Sequence, residues 1–171
     1  MRFVPSLAAV VAGVLFSALA IGSAAAQVDA HEPDPVKWLR SVYDLYLKSE
    51  GTDTETNADY DLVIARASKQ LAALFKKNKD CEVKAGGICA LDWDFVIDGQ
   101  DYRLKNVRVG KFVAKGDRGT VTVSFINMSN SCANVYDFVR EDGEWKVDDI
   151  ETRSGKDKAI SIAKLLRDFK E

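Results

Sequence analysis

Thr120-Val-Thr-Val-Ser-Phe125 alternates apolar and small polar residues at a strict period of two, the pattern of a strand with one buried face. The next apolar run, Val135-Tyr-Asp-Phe-Val-Arg140, leads through Asp142-Gly143 into Glu144-Trp-Lys-Val-Asp-Asp-Ile150. Asp-Gly is a two-residue hairpin signal because both positions must take positive φ, which these residue types tolerate. Upstream, Lys115-Gly-Asp-Arg-Gly119 and Asn127 to Ser131 read as turns. Tyr102 to Val113 is rich in Val, Leu, Tyr and Phe without a helical stripe, and adds a further strand region. The sequence therefore predicts an antiparallel sheet of about four hairpin-linked strands.

Helical periodicity flanks that sheet. Asp34-Pro35 is a helix start, with Asp as N-cap and Pro at the first helical position. Val36, Leu39, Tyr43, Tyr46 and Leu47 fall on one face, while Trp38, Val42 and Leu45 make a second stripe. Gly51 to Asn57 reads as a loop. From Tyr60, the positions Val63, Ile64, Ala67, Leu71, Leu74 and Phe75 keep helical spacing, as one helix or as two with a kink. This segment is expected to end at Lys76-Lys77-Asn78-Lys79, where positive charge complements the helix macrodipole. A last helix is expected from about Lys156 to Phe169, with Ile162, Leu165, Leu166 and Phe169 on one face. Helices first and then consecutive strands give an α+β domain, with helices packed on one face of an antiparallel sheet. Internal repeats and low-complexity segments are not seen.

The N-terminal end of the chain carries an address. Met1-Arg2, the apolar run Leu7 to Gly22 and Ala24-Ala25-Ala26 have the grammar of a secretory signal peptide cleaved before Gln27. The expected organisation is residues 1–26 as leader, 27–33 as a polar lead-in and 34–171 as one domain in the periplasm or outside the cell. Gln27, in place of a Cys, gives no support to lipid attachment, and the mature part holds no run long enough to span a bilayer. The 171 residues carry 24 Lys and Arg against 26 Asp and Glu, and these are interspersed, which argues against a nucleic-acid partner. In an oxidising compartment Cys81-Glu-Val-Lys-Ala-Gly-Gly-Ile-Cys89, a Gly-containing loop, is expected to be bridged. Closing so short a loop contributes roughly 2.5 kcal/mol on the chain-entropy model. Cys132 is then left over, expected to be buried as a small apolar residue.

Leu91-Asp-Trp-Asp-Phe-Val-Ile-Asp-Gly-Gln-Asp101, the strand from Thr120 to Phe125, the helix Ser68-Lys-Gln-Leu-Ala-Ala-Leu74 and the ending from Tyr136 to Ile150 resemble an uncharacterised bacterial envelope family, the one numbered 3828 among domains of unknown function. The resemblance runs from about Pro35 to the C-terminus. Phe95 follows Asp94 where family members often carry Pro, so this loop is expected to turn differently. The ending is similar to cone-shaped α+β domains related to nuclear transport factor two. That likeness implies a curved sheet enclosing a pocket, and it lends no activity.

Several chemistries are excluded. The single histidine, His31, stands in the lead-in, which removes Ser-His-Asp and Cys-His catalysis and His-based zinc sites. A Gly-rich phosphate loop at a strand-to-helix junction is missing, and no cofactor is expected. Asn127-Met-Ser129 matches a glycosylation acceptor, a short pattern with little weight. Asp92, Asp94, Asp98 and Asp101 put four carboxylates in ten residues, a weak calcium candidate. Their spacing does not fit an EF-hand, whose third acidic ligand would fall at Val96, and Asp and Gly are also the residues of turns. Asp149 shares a face with Trp145 and Val147 on period two, so it is a candidate base with a raised pKa; Asp94 is the other. Trp93, Asp94, Gln100, Asp101, Tyr102 and Tyr136 are candidate ligand contacts, although aromatic residues in strands are more often core. Three roles follow. The first is a non-enzymatic binding or accessory domain of the bacterial envelope that holds a small ligand or protein. The others are a cofactor-free lyase or isomerase using Asp149 or Asp94, and an inhibitor or immunity-type protein that neutralises a toxin.

Overall fold

The computed structural model describes residues 34–50 and 62–170. The expected leader and lead-in, His31, the loop from Gly51 to Asn57 and Tyr60 lie outside the described residues. Asp34 begins the first helix, α1 (Pro35–Ser49), through its carboxylate, which accepts from the N–H groups of Val36 and Lys37 at 2.8 and 3.1 Å. Leu39, Val42, Tyr43 and Tyr46 are buried on its inner face. Leu45 and Leu47 are each 43% exposed, so the apolar stripe is narrower than the sequence spacing implies.

Residues 62–65 form a short helical turn, and the chain then leaves helical geometry at Arg66–Ser68. A helix, α2 (Lys69–Ala85), starts behind Ser68, whose hydroxyl accepts from Leu71 N–H at 3.0 Å. The break has a tertiary cause. Ser68 N–H donates to the carbonyl of Val147 at 2.7 Å and Val147 N–H to that of Arg66 at 2.8 Å, laying the segment parallel to a strand. The lysine cluster does not end the helix. Lys76 pairs with Asp80 and Lys79 with Glu82 on the helix surface, and the turn is closed at Gly86, which takes φ 66°. Cys81 accordingly lies on α2 rather than in a loop, and is bonded to Cys89. The tie is reinforced by Asn78, buried in the middle of the cluster, whose Oδ1 accepts from Ala90 N–H at 2.8 Å.

Among the described residues the sheet has six strands: β1 (Leu104–Val109), β2 (Val113–Lys115), β3 (Arg118–Asn127), β4 (Asn130–Glu141), β5 (Glu144–Ser154) and β6 (Ile160–Ser161). All pairs are antiparallel in the order β1-β3-β4-β5-β6, with β2 also on β3. The α+β class is as the sequence predicts; β2 and β6 are the strands too short to read from periodicity. Asp142 and Gly143 take φ 52° and 88°, as the hairpin reading requires. The last helix, α3 (Ile162–Asp168), is shorter than expected, because residues Ile160–Ser161 pair with β5 before it begins.

Inward residues stack across the strands in register. Val121, Tyr136 and Ile150 form one row, and Gly119, Phe138 and Val147 the next. Helix residues Leu39, Tyr43, Leu71 and Phe75, with Ile162 and Leu166 of α3, join them in one cluster. Each large apolar side chain fully buried there contributes about 1.5–3 kcal/mol. Arg118, Thr120, Thr122 and Ser124 on the opposite face are exposed. One tight approach decides the β2 end: the Phe112 ring lies over Gly119, where a Cβ would stand 2.3 Å from its Cζ. Phe112 thereby reaches Phe138 and Trp145 in edge-to-face contact, at 5.8 and 4.9 Å between centroids.

Candidate functional site

The segment between α2 and β1 holds most of the acidic and aromatic residues picked out from the sequence. Asp94 and Gly99 exchange backbone hydrogen bonds of 3.1 Å in both directions, closing a tight loop with Asp98 at φ 55°. Inside it, Phe95, Val96 and Ile97 are driven into the core, at 0, 0 and 1% exposure. Phe95 stacks on Phe75, with ring centroids 5.7 Å apart. Buried carbonyls need donors, and three side chains supply them. Asn134 Nδ2 donates to the carbonyls of Phe95 (3.0 Å) and Val96 (2.8 Å), Tyr43 OH donates to Val96 (2.9 Å), and Asn127 Nδ2 donates to Ile97 (3.0 Å). Tyr136 OH stands 3.2 Å from Tyr43 OH, and Asn134 Nδ2 also reaches Tyr43 OH at 3.1 Å. Burial first, and the neighbouring Tyr136 second, push the Tyr43 phenol well above its ordinary range, so it stays a neutral donor.

Each candidate has a defined place. Asp94 accepts from Val96 N–H at 2.8 Å through Oδ1 and from Tyr46 OH at 2.5 Å through Oδ2, so it shapes the turn and anchors it to α1. Gln100 donates to the Asp92 carbonyl at 2.9 Å, and Asp101 accepts from Asn127 through its own carbonyl. Tyr102 packs edge-to-face on Tyr46 and its OH lies 2.7 Å from Ser49 Oγ. Trp93 is half-buried against the core, whereas Tyr136 is fully buried. Among the described residues no three acidic, histidine or cysteine side chains converge as ligands for a cation, so Asp92, Asp94, Asp98 and Asp101 are not gathered as a calcium site would need.

Asp149 requires a correction. Asp137 pairs with Asp149 and Phe138 with Val147, which leaves Asp148 as an extra residue, a β-bulge on β5. The bulge shifts the alternation, so Val147 and Ile150 point inward and Asp149 does not share their face. Its carboxylate accepts from Ile150 N–H (2.7 Å), Ala163 N–H (2.9 Å) and Ser161 OH (2.5 Å), which fastens the start of α3 to β5. Asp148 accepts from Ser68 OH at 2.8 Å and pairs with Arg118 at 3.1 Å, joining the start of α2 to the same bulge. Asp137, across from Asp149 on the outer face, has its carboxyl raised by burial first and then by the charges of Asp149 and Glu151.

A cavity of about 420 Å³ lies elsewhere, between α1 and β1. Arg40, Tyr43, Asp44 and Leu47, at i, i+3, i+4 and i+7, present one stripe of the helix to it, and Val107, Arg108 and Val109 form the other wall. None of the residues selected from the sequence lines this groove. Its signal was faint: two arginines and a carboxylate scattered between a helix and an edge strand. Asn134 was also missed, and Asn127, read as the start of a turn and as a glycosylation acceptor, is instead a buried residue of β3; both sit at inward positions of alternating strands, where a polar residue stands out. The chain matches no family model, and comparison with curated proteins and with solved structures returns no similar chain. Among the described residues no helix is long and apolar enough to cross a membrane.

Proposed function

We propose that this chain is an exported, non-enzymatic binding domain of the bacterial envelope. The observation that carries the reading is the filled interior. Phe95, Val96 and Ile97 occupy the space on the inner face of the sheet, and their carbonyls take up the donors of Tyr43, Asn134 and Asn127. The acids selected as bases are engaged in turn and helix-start hydrogen bonds, Asp94 to Val96 and Tyr46, Asp149 to Ile150, Ser161 and Ala163. Recognition is then left to the outer surface. The disulfide between Cys81 and Cys89 suits an oxidising compartment. Native mass spectrometry of the chain purified from its own host's envelope tests the proposal. The expected spectrum shows cleavage before Gln27 and a stoichiometric protein partner. A bare monomer, combined with substrate turnover that Asp149→Asn or Asp94→Asn abolishes without unfolding the domain, would overturn it.

A further inference from the structure

We propose that the inner face of the sheet carries a binding site for a single ordered water, held between Asn134 and Thr152. This water completes the polar network beneath the Phe95–Ile97 loop, whatever the outer surface binds. Asn134 Oδ1 and Thr152 Oγ1 have no hydrogen-bond partner among the described residues, although their residues are 0 and 1% exposed. The two atoms are not scattered. Asn134 on β4 stands directly opposite Thr152 on β5, and both side chains point inward. An amide oxygen can only accept, whereas a hydroxyl can donate and accept. Buried waters sit where such otherwise unsatisfied polar groups converge. Here the Thr152 hydroxyl donates to the water, and the water donates to Asn134 Oδ1.

Neither group is free to turn and close the gap itself. The Asn134 amide is fixed through its nitrogen, which donates to the carbonyls of Phe95 and Val96 and to Tyr43 OH. Reversing the amide would set its oxygen against two carbonyls, so Oδ1 is held on the side away from the loop. Thr152 is β-branched and stiff at χ1, which limits the swing of its hydroxyl. Directly opposed residues of an antiparallel pair carry Cβ atoms about 4.5–5.5 Å apart. A water with contacts of about 2.8 Å on either side spans a separation of that order. The site also has a way in. The neighbouring inward pair, Cys132 and Ser154, brings Sγ to 3.7 Å from Oγ, and Ser154 is half-buried. A polar seam therefore leads from the surface through Ser154 and Cys132 to Thr152 and Asn134.

A water released to solvent regains hydrogen bonds there, so its presence is read from structure and relaxation rather than from a thermal midpoint. The test is a crystal structure of the full chain at a resolution that shows ordered water, beside Thr152→Val and Thr152→Ser. Magnetic relaxation dispersion of the water oxygen, which detects long-lived buried water, is measured on the same three proteins in solution. The expected result is a fully occupied water within hydrogen-bond distance of both Asn134 Oδ1 and Thr152 Oγ1. Thr152→Ser, which keeps the hydroxyl, should retain it. Thr152→Val should lose it, with a dispersion amplitude lower by the share of a single water. A direct hydrogen bond from Thr152 OH to Asn134 Oδ1 with no water between them would overturn the proposal. So would a water that persists in Thr152→Val, or equal dispersion amplitudes in Thr152→Val and the wild type.

Discussion

Replacing Asn134 by Ala should be among the most damaging single changes available to this domain, and its cost can be worked out bond by bond. The amide nitrogen serves the carbonyls of Phe95 and Val96 and the hydroxyl of Tyr43. After truncation the Val96 carbonyl keeps Tyr43 OH at 2.9 Å, but no side chain replaces Asn134 at Phe95. A buried carbonyl left without a donor costs about 1–3 kcal/mol, and the void left by the amide adds about 1 kcal/mol. The change also removes Asn134 Oδ1, which is buried without a hydrogen-bond partner among the described residues and so offsets part of the loss; Asn134→Ala should therefore lose about 1–3 kcal/mol, a drop of roughly 3 °C in midpoint per kcal/mol. Tyr43→Phe should cost only about 1 kcal/mol, because Asn134 still holds the Val96 carbonyl. The two changes back each other up at that carbonyl, so the double variant should lose more than the sum, with a coupling of about 0.5–2 kcal/mol. Urea unfolding of the four proteins, with constant slope as the check on two-state behaviour, measures all three quantities. Additive losses, or an Asn134→Ala effect below about 1 kcal/mol, would refute this account of the plugged interior.

Five further outcomes are expected. Asp149→Ala should destabilise by about 1–2 kcal/mol through loss of the attachment of α3, seen as a lower urea midpoint; an unchanged midpoint would return Asp149 to the list of functional acids. Asp137→Asn should stabilise at pH 7 by less than about 1 kcal/mol once solvent screening is allowed for. The sign follows from the raised folded pKa: the native state holds the Asp137 proton more tightly, so wild type loses stability as pH rises from the ordinary Asp range through the raised value. The advantage of Asn should vanish in acid below the ordinary Asp range, and a gain that persists there would contradict the reasoning. Cys132, whose thiol is pushed up by burial, should resist a thiol reagent in the native protein and titrate as one group per chain in denaturant, while Cys81→Ser with Cys89→Ser should cost roughly 2.5 kcal/mol. Thr152→Val should be neutral within about 1 kcal/mol, because the buried Thr152 hydroxyl has no hydrogen-bond partner among the described residues to lose.

The sheet was legible because its turns are written locally. Asp142-Gly143 and the alternation from Thr120 to Phe125 fix pairing and facing without help from distant residues. What escaped reading depends on partners far along the chain. The helical spacing from Val63 to Phe75 is genuine, yet the chain breaks at Arg66–Ser68 because Val147, some eighty positions later, offers backbone hydrogen bonds. The facing of Asp149 was misread because one extra residue, Asp148, shifts the period of β5, and an inserted residue leaves no mark on a count of two. Lys76 to Lys79 looked like a helix end because charge favours termini, but Asp80 and Glu82 neutralise it in mid-helix and Gly86 supplies the actual stop. The buried Phe-Val-Ile loop was hidden for another reason: acidic flanks at Asp92, Asp94 and Asp98 mask three fully buried residues between them.

The long reach of these contacts bears on the order of assembly. Tyr43 and Tyr136 meet across 93 positions and Ser68 and Asp148 across 80, whereas β3, β4 and β5 are joined by two-residue hairpins. Loop-closure entropy lets the hairpins zip early and makes the distant closures late. In a chain synthesised from its N-terminus, α1 is made before the strands it packs against, and its contacts with them are among those that loop closure makes late. Its apolar stripe must wait, uncovered, for strands that do not yet exist. A helper that shields α1 in the interval would raise the yield of folded protein while leaving its final stability untouched.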